Sequence, residues 1–273
     1  RVHQWIKNLF LFAGIIFARQ FDQPAQLVKV MVGFVAFCMI SSALYILNDW
    51  VDIEKDRKHP KKKYRPLASG AITIPLALGL MLALLGLGVG VAFDLGWYFV
   101  LLALTYAGLT IGYTFYLKHI PIIDVMTIAA GFLLRTVAGT VAINVRISPW
   151  LIVCVGLLSL FLAFTKRRQE LLTTDGTATR QVLGQYSLGF LDQALNIVTA
   201  ATLTSYFLYT FTARTQWMMI TIPFVLFGIF RYLLLSQTQG EGEEPEQIIY
   251  SDIPFLVNLV IWTVVSGLII YFK

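Results

Sequence analysis

The strongest chemical signal in this 273-residue chain is a run of nine residues, Asn48-Asp49-Trp50-Val51-Asp52-Ile53-Glu54-Lys55-Asp56. Asp49, Asp52 and Asp56 stand at i, i+3 and i+7, so a helix running through them turns all three carboxylates to one face. Like charges at that spacing repel and disfavour the helix unless cations neutralise them. Hard carboxylate oxygens suit magnesium, which binds through a few carboxylates and completes its octahedron with water and substrate phosphates. The plainer alternative is a solvated helix end, salt-bridged by Lys55 and Arg57. The next stretch favours the site: His59-Pro60-Lys61-Lys62-Lys63-Tyr64-Arg65-Pro66-Leu67-Ala68-Ser69-Gly70. Two prolines stiffen it, and its cations suit phosphate oxygens that a metal does not reach. Arg65 is the leading candidate for substrate contact and Lys61 a weaker one; the lysines also suit a topology anchor or a contact with anionic lipid.

The elements that position these groups are membrane helices. Hydrophobic residues make up 58% of the chain and charged ones 13%, about half the charge of a soluble domain. Apolar runs near the roughly 20 residues that cross a bilayer fall at 5–19, 27–47, 72–93, 96–117, 120–142, 148–165, 191–212, 216–235 and 253–272. The expectation is an all-α, polytopic membrane protein of about nine transmembrane helices, forming one integral-membrane domain over 1–273. With the start of the chain in the cytoplasm, fifteen Lys and Arg residues lie inside and five outside, and Arg135 lies within a span. That bias follows the positive-inside rule, so the net charge of +6 reads as topology and no nucleic-acid partner is expected. The longer inside connections hold most of the acids as well, which points to a functional surface at the cytoplasmic face. The acidic run Glu241 to Glu246 reads as a solvated loop. The chain opens on Arg1 rather than Met, so its numbering is expected to start inside a longer protein.

Other residues have a chemical and a structural reading each. Arg135 is costly in lipid and must face a cavity or an acidic partner. Asp124, near the cytoplasmic end of the fifth span, suits a metal-bound water or a pair with Lys118. Gln4, Lys7 and Asn8 lie on roughly one face of a helix beginning at the interface, suited to a lipid phosphate, although Lys7 also suits a snorkelling anchor. His3, His59 and His119 are too scattered for a zinc set. Cys38 and Cys154 both lie in apolar stretches and imply no disulfide framework.

The segment 48–70 and the span map together resemble the UbiA superfamily of intramembrane prenyltransferases. The first motif of that superfamily reads N-D-x-x-D-x-x-x-D after the second of nine helices. The resemblance implies a lateral, lipid-accessible cavity, with diphosphate and Mg2+ (Mn2+ able to substitute) held at the cytoplasmic end by Asp49, Asp52 and Asp56, and Asn48 on the substrate. Members that prenylate an aromatic acid or a quinone precursor carry a D-x-x-x-D after the sixth helix. Here that position reads Thr165-Lys166-Arg167-Arg168-Gln169-Glu170-Leu171, followed only by Asp175.

Three stretches are instead similar to the polyprenyl-phosphate phosphoribosyltransferase branch: the H-P-x-K-x-x-R-P of 59–66, Tyr113 with Lys118 and Asp124, and the K-R-x-x-E-L of 166–171. That branch implies transfer of 5-phosphoribosyl from phosphoribosyl diphosphate to a polyprenyl phosphate at a bacterial-type plasma membrane. Lys118, Arg65, Lys166 and Arg167 would contact phosphate, and Tyr113 and Asp124 would orient the ribose. A donor and an acceptor that both carry phosphate bring more anionic oxygens than a prenyl diphosphate, so fewer carboxylates and more cations fit. The alternative is a polyprenyl diphosphate: aromatic acceptor prenyltransferase of the 4-hydroxybenzoate type.

Overall fold

Each of the nine expected apolar stretches falls on a helix. The structure, a computed structural model, describes residues 1–58, 62–173, 181–213, 215–238 and 251–272. Lys61, Asp175 and the acidic run 241–246 lie outside the described residues. The chain opens with a 3-10 helix, Val2–Phe12, that runs into one α-helical turn, α1 (Ala13–Phe17). There follow α2 (Pro24–Val51), α3 (Ile53–Lys58), α4 (Ile74–Phe93), α5 (Trp97–Phe115), α6 (Ile123–Ala142), α7 (Pro149–Thr173), α8 (Leu188–Thr212), α9 (Ile222–Thr238) and α10 (Ile253–Phe272). Seven of the described helices are long and apolar enough to cross a membrane; α8 is long enough but less apolar, and the opening segment is short. The expected count of nine spans is therefore not reached by length and composition.

Packing divides the chain into two units. The first holds residues 1–127 and 131–147, the second 128–130 and 148–273. In the first unit α2 is the axis, packed against the opening 3-10 helix, α4 and α5. Its core is Leu11, Ile15, Val30, Phe37, Ile40, Phe99 and Val100, closed by small residues such as Ala36, Ala103 and Ala138. Small residues let helix backbones approach where lipid supplies no hydrophobic drive between helices. At Gly88 of α4, a Cβ would lie 2.8 Å from Ile40 Cγ1 and 3.1 Å from the Ala36 carbonyl oxygen of α2.

The closest approach brings α6 onto the opening segment. A Cβ on Gly139 would run into the Leu11 carbonyl oxygen and lie 2.8 Å from Leu11 Cα. Backbone cannot yield as a side-chain tip can, so Gly139→Ala is expected to cost at least about 1–3 kcal/mol. The readout is the melting temperature in detergent, with Gly79→Ala, which meets nothing within 4 Å, as the neutral control. Equal melting temperatures for the two variants would show that the segments do not touch there.

In the second unit polar contacts tie one helix to the next. Arg168 Nε of α7 donates to Asp192 of α8 at 2.6 Å. The Gln169 amide of α7 donates to the Ser236 carbonyl of α9. Trp262 Nε1 of α10 donates to the Tyr206 hydroxyl of α8 at 3.0 Å, and that hydroxyl shares a 2.6 Å bond with Thr221. Arg231 Nη2 of α9 meets Asp252, just ahead of α10, at 2.7 Å, and this hydrogen bond holds the Asp252 carboxyl below its ordinary pKa. The Asp252 carboxylate also caps α10 by accepting from the Phe255 N–H.

Candidate active site

The aspartate run sits where α2 ends. Asp49 is in the last turn of α2, Asp52 is its C-cap and Asp56 lies in α3. Two i→i−4 bonds span the joint: the Asp52 N–H donates to the Asn48 carbonyl at 3.0 Å and the Asp56 N–H to the Asp52 carbonyl at 2.8 Å. The helix is interrupted at Asp52, which takes φ −95° and ψ 11°. Asp52 therefore turns to Lys118 while Asp49 and Asp56 meet at Arg65, and the one face expected for three carboxylates holds for two.

A cation meets each carboxylate. Arg65 Nη1 lies 3.2 Å from Asp49 Oδ1 and 2.6 Å from Asp56 Oδ2, so one nitrogen bridges two acids. Arg1 also pairs with Asp49, and its guanidinium lies over the Tyr45 ring at 5.2 Å. Burial pulls the Arg1 guanidinium below its ordinary pKa, and Asp49 opposes that pull. Lys118 Nζ reaches both oxygens of Asp52, at 2.9 and 3.0 Å. Asp49 and Asp56 are buried, as is Lys118, which is 6% exposed. Buried charges at this density need partners, because taking each ion out of water costs several kcal/mol.

Local structure holds the three cations in place. The Arg65 loop returns on itself through Ser69 N–H to the Arg65 carbonyl (2.8 Å) and Ile72 N–H to the Pro66 carbonyl (3.2 Å). Gly70 takes φ +78°, a conformation glycine adopts without a Cβ penalty. Arg57 ties the loop to α3 by donating to the Ala68 carbonyl, and it also pairs with Glu54. Lys118 sits in a 3-10 turn, Leu117–His119, between α5 and α6. Ile122 follows at φ +68°, ψ −46°, and the Ile123 N–H bonds back to the Pro121 carbonyl at 2.8 Å. A β-branched residue there is strained, and the tight turn starts α6 so that Asp124 is fully buried in its first turn. Tyr113 is half-buried near the end of α5.

The other candidates are placed differently. Gln4 and Lys7 pair with each other, as the i, i+3 stacking of a 3-10 helix allows. Asn8 turns inward and is fully buried, donating to Ser41 and Cys38 at 3.2 Å and accepting from Arg135 Nε at 2.8 Å. Arg135 also donates to the Tyr106 hydroxyl at 2.6 Å and stacks on that ring at 4.5 Å. Gln4, Lys7 and Asn8 thus do not form one phosphate face: Asn8 belongs to a polar knot inside the helices. In the second unit Lys166 is half-buried, while Arg167 is fully buried and pairs with Glu170. Arg1, which by sequence counts only towards topology, is the site residue that sequence reasoning misses. Its one available signal is its place on the same side of the membrane as the aspartates.

The carboxylates fit magnesium by donor type, and Asp49 and Asp56 already share one positive centre in Arg65. Among the described residues no three Asp, Glu, His or Cys side chains gather as a metal cage, because Asp52 faces Lys118 instead. Magnesium requires no such cage when substrate phosphates complete its shell. An apolar groove of about 350 Å³ lies elsewhere in this unit, lined by Leu27, Val28, Met31, Val32, Val35 and Val91. At 1.5 Å per residue its nearest lining residue on α2, Val35, sits roughly 20 Å along the helix from Asp49.

An ion-paired carboxylate face at the end of long apolar helices defines an integral membrane protein with a polar site at one end of its first unit. The sequence model of the UbiA prenyltransferase family matches residues 8–171, and the chain belongs to that family. It is 34% identical to the decaprenyl-phosphate phosphoribosyltransferase of Corynebacterium glutamicum, over 99% of this chain and 85% of that protein. The protein of the same name from Mycolicibacterium smegmatis is 31% identical, over 100% of this chain and 91% of the relative. Among solved structures, a UbiA homolog from Archaeoglobus fulgidus bound to GPP and Mg2+ superposes with a TM-score of 0.78 at 18% identity, covering 99% of this chain and 97% of that one. This last likeness shows the fold.

Proposed function

We propose that the protein transfers a 5-phosphoribosyl group from phosphoribosyl diphosphate to a long-chain polyprenyl phosphate and releases diphosphate. The observation that carries this reading is the cation matching of the aspartate face, on a chain aligned end to end with relatives of that name. Asp49 and Asp56, with Asp52 beside them, would hold Mg2+ or Mn2+ on the donor diphosphate. The metal supplies charge neutralisation for the leaving diphosphate as the C1–oxygen bond breaks.

The remaining work falls to the chain's own groups. Arg1, Arg65 and Lys118 exchange carboxylate oxygens for donor phosphate oxygens and fix the donor's position. Asp124 and Tyr113, from the two helices that flank Lys118, orient the ribose. The acceptor phosphate is already an anionic nucleophile, so no strong general base is needed. With the aspartate end of α2 in the cytoplasm, as the charge bias predicts, the donor reaches the site from water and the lipid acceptor from the bilayer of the plasma membrane.

The test offers purified protein a donor labelled in the ribose, together with polyprenyl monophosphate. The label is expected to move into the lipid fraction as the monophosphate is consumed. If the label stays aqueous while a polyprenyl diphosphate and 4-hydroxybenzoate yield a prenylated product, the phosphoribosyl reading is wrong and the chain is an aromatic prenyltransferase.

A further inference from the structure

We propose that Arg65 is a built-in competitor of the metal: its guanidinium bridges Asp49 and Asp56 and leaves only when donor phosphate offers it a better partner. The inference rests on the magnesium reading given above. Its basis is that one nitrogen, Arg65 Nη1, contacts Asp49 at 3.2 Å and Asp56 at 2.6 Å. A cation that touches both carboxylates at once takes up oxygens that a metal held by the same two residues would need. The two cannot hold those oxygens together.

Three further observations fit a displaceable bridge. Asp49 does not depend on Arg65 alone, since Arg1 also pairs with it. Arg65 itself is about a quarter exposed, at 26% of its side chain, whereas Asp49 and Asp56 are 12% and 6% exposed, so the arginine is the partner with room to swing. Its loop is closed on itself and fastened to α3 by Arg57, so the side chain can turn while its backbone stays in place. The physical need is clear: Asp49 and Asp56 repel each other until something positive sits between them. Arg65 meets that need in the absence of substrate and makes the metal bind weakly on its own. Donor phosphate draws the guanidinium off, the carboxylates open, and metal and donor enter as a pair.

Competition predicts opposite signs in two measurements on one variant. Free Mn2+ is followed by electron paramagnetic resonance during titration of the full chain in detergent, without substrate. Arg65→Ala is expected to bind Mn2+ about tenfold more tightly, since a charge-assisted contact no longer has to be broken, while its KM for the donor rises about tenfold. Arg65→Gln, closer in shape, provides the same comparison should the alanine variant fold poorly. Lys63→Ala removes an equal charge from the same loop without touching a carboxylate, and it should leave Mn2+ affinity within about twofold because exposed charges are screened. Unchanged or weaker Mn2+ binding in both Arg65 variants overturns the proposal, as does equal tightening in Lys63→Ala, which would reduce the effect to net charge. If neither the wild type nor any variant takes up Mn2+, the metal reading itself falls and the competition falls with it.

Discussion

Asparagine at position 49 is expected to lower the rate of transfer by on the order of 10²–10³-fold, the usual loss when one preorganised electrostatic contact to a developing charge is removed. The substitution keeps the shape of the side chain and removes its charge. Arg65 retains Asp56, and Arg1, 20% exposed at its side chain, can turn to water. The fold should therefore lose little, so Asp49→Asn is expected to insert, purify and melt close to wild type. Activity in excess chelator provides the parallel check on the wild type. Full activity there, or near-normal turnover in Asp49→Asn, would remove the metal from the mechanism.

The second large effect falls on Lys118, where stability and activity are expected to part company. Lys118 is buried against both oxygens of Asp52. Breaking a fully buried pair by removing one partner costs about 3–5 kcal/mol. The Asp52 side chain is 19% exposed, which places Lys118→Met nearer about 2–3 kcal/mol on the same scale. Removing both charges leaves nothing unpaired, so Asp52→Asn/Lys118→Met should recover most of the melting temperature lost by the single variant. Activity should not return, because the double variant lacks both a carboxylate and a phosphate contact. Recovery of both would make the pair a structural strut. Recovery of neither would mean that Lys118 is held by more than Asp52.

Which of these relations could be read along the chain depends on how far apart the partners lie. Asp49 and Asp56 come together at i, i+7 because helical geometry repeats every few residues, whereas Asp52, at the break between α2 and α3, turns to Lys118. The Arg167–Glu170 pair is local in the same sense, at i, i+3. The sequence reading gives Arg167 to a phosphate, and the structure pairs its charge with Glu170. The neutralising partners of the aspartates are another matter. Local reasoning nominates Lys55 and Arg57, but Arg57 pairs with Glu54 and binds the Ala68 carbonyl. The charges come instead from Arg1, 48 residues from Asp49, from Arg65, 16 residues from Asp49 and 9 from Asp56, and from Lys118, 66 residues from Asp52.

Sequence alone was enough for the membrane architecture, the class of chemistry and the register of Asp49 and Asp56. The first and last follow from composition or from a period of a few residues, since bilayer thickness and helix pitch are the same for every chain, while the class of chemistry came from the family resemblance of the motifs. Tertiary structure alone decided which cation stands against which aspartate, that Asn8 serves the buried Arg135 rather than a lipid headgroup, and that Arg1 belongs to the site at all. Those contacts depend on how helices cross. The crossings are set by packing details such as Gly139 against the Leu11 carbonyl and Gly88 against α2, where one missing methyl lets two backbones meet and brings residues distant in sequence within bonding range.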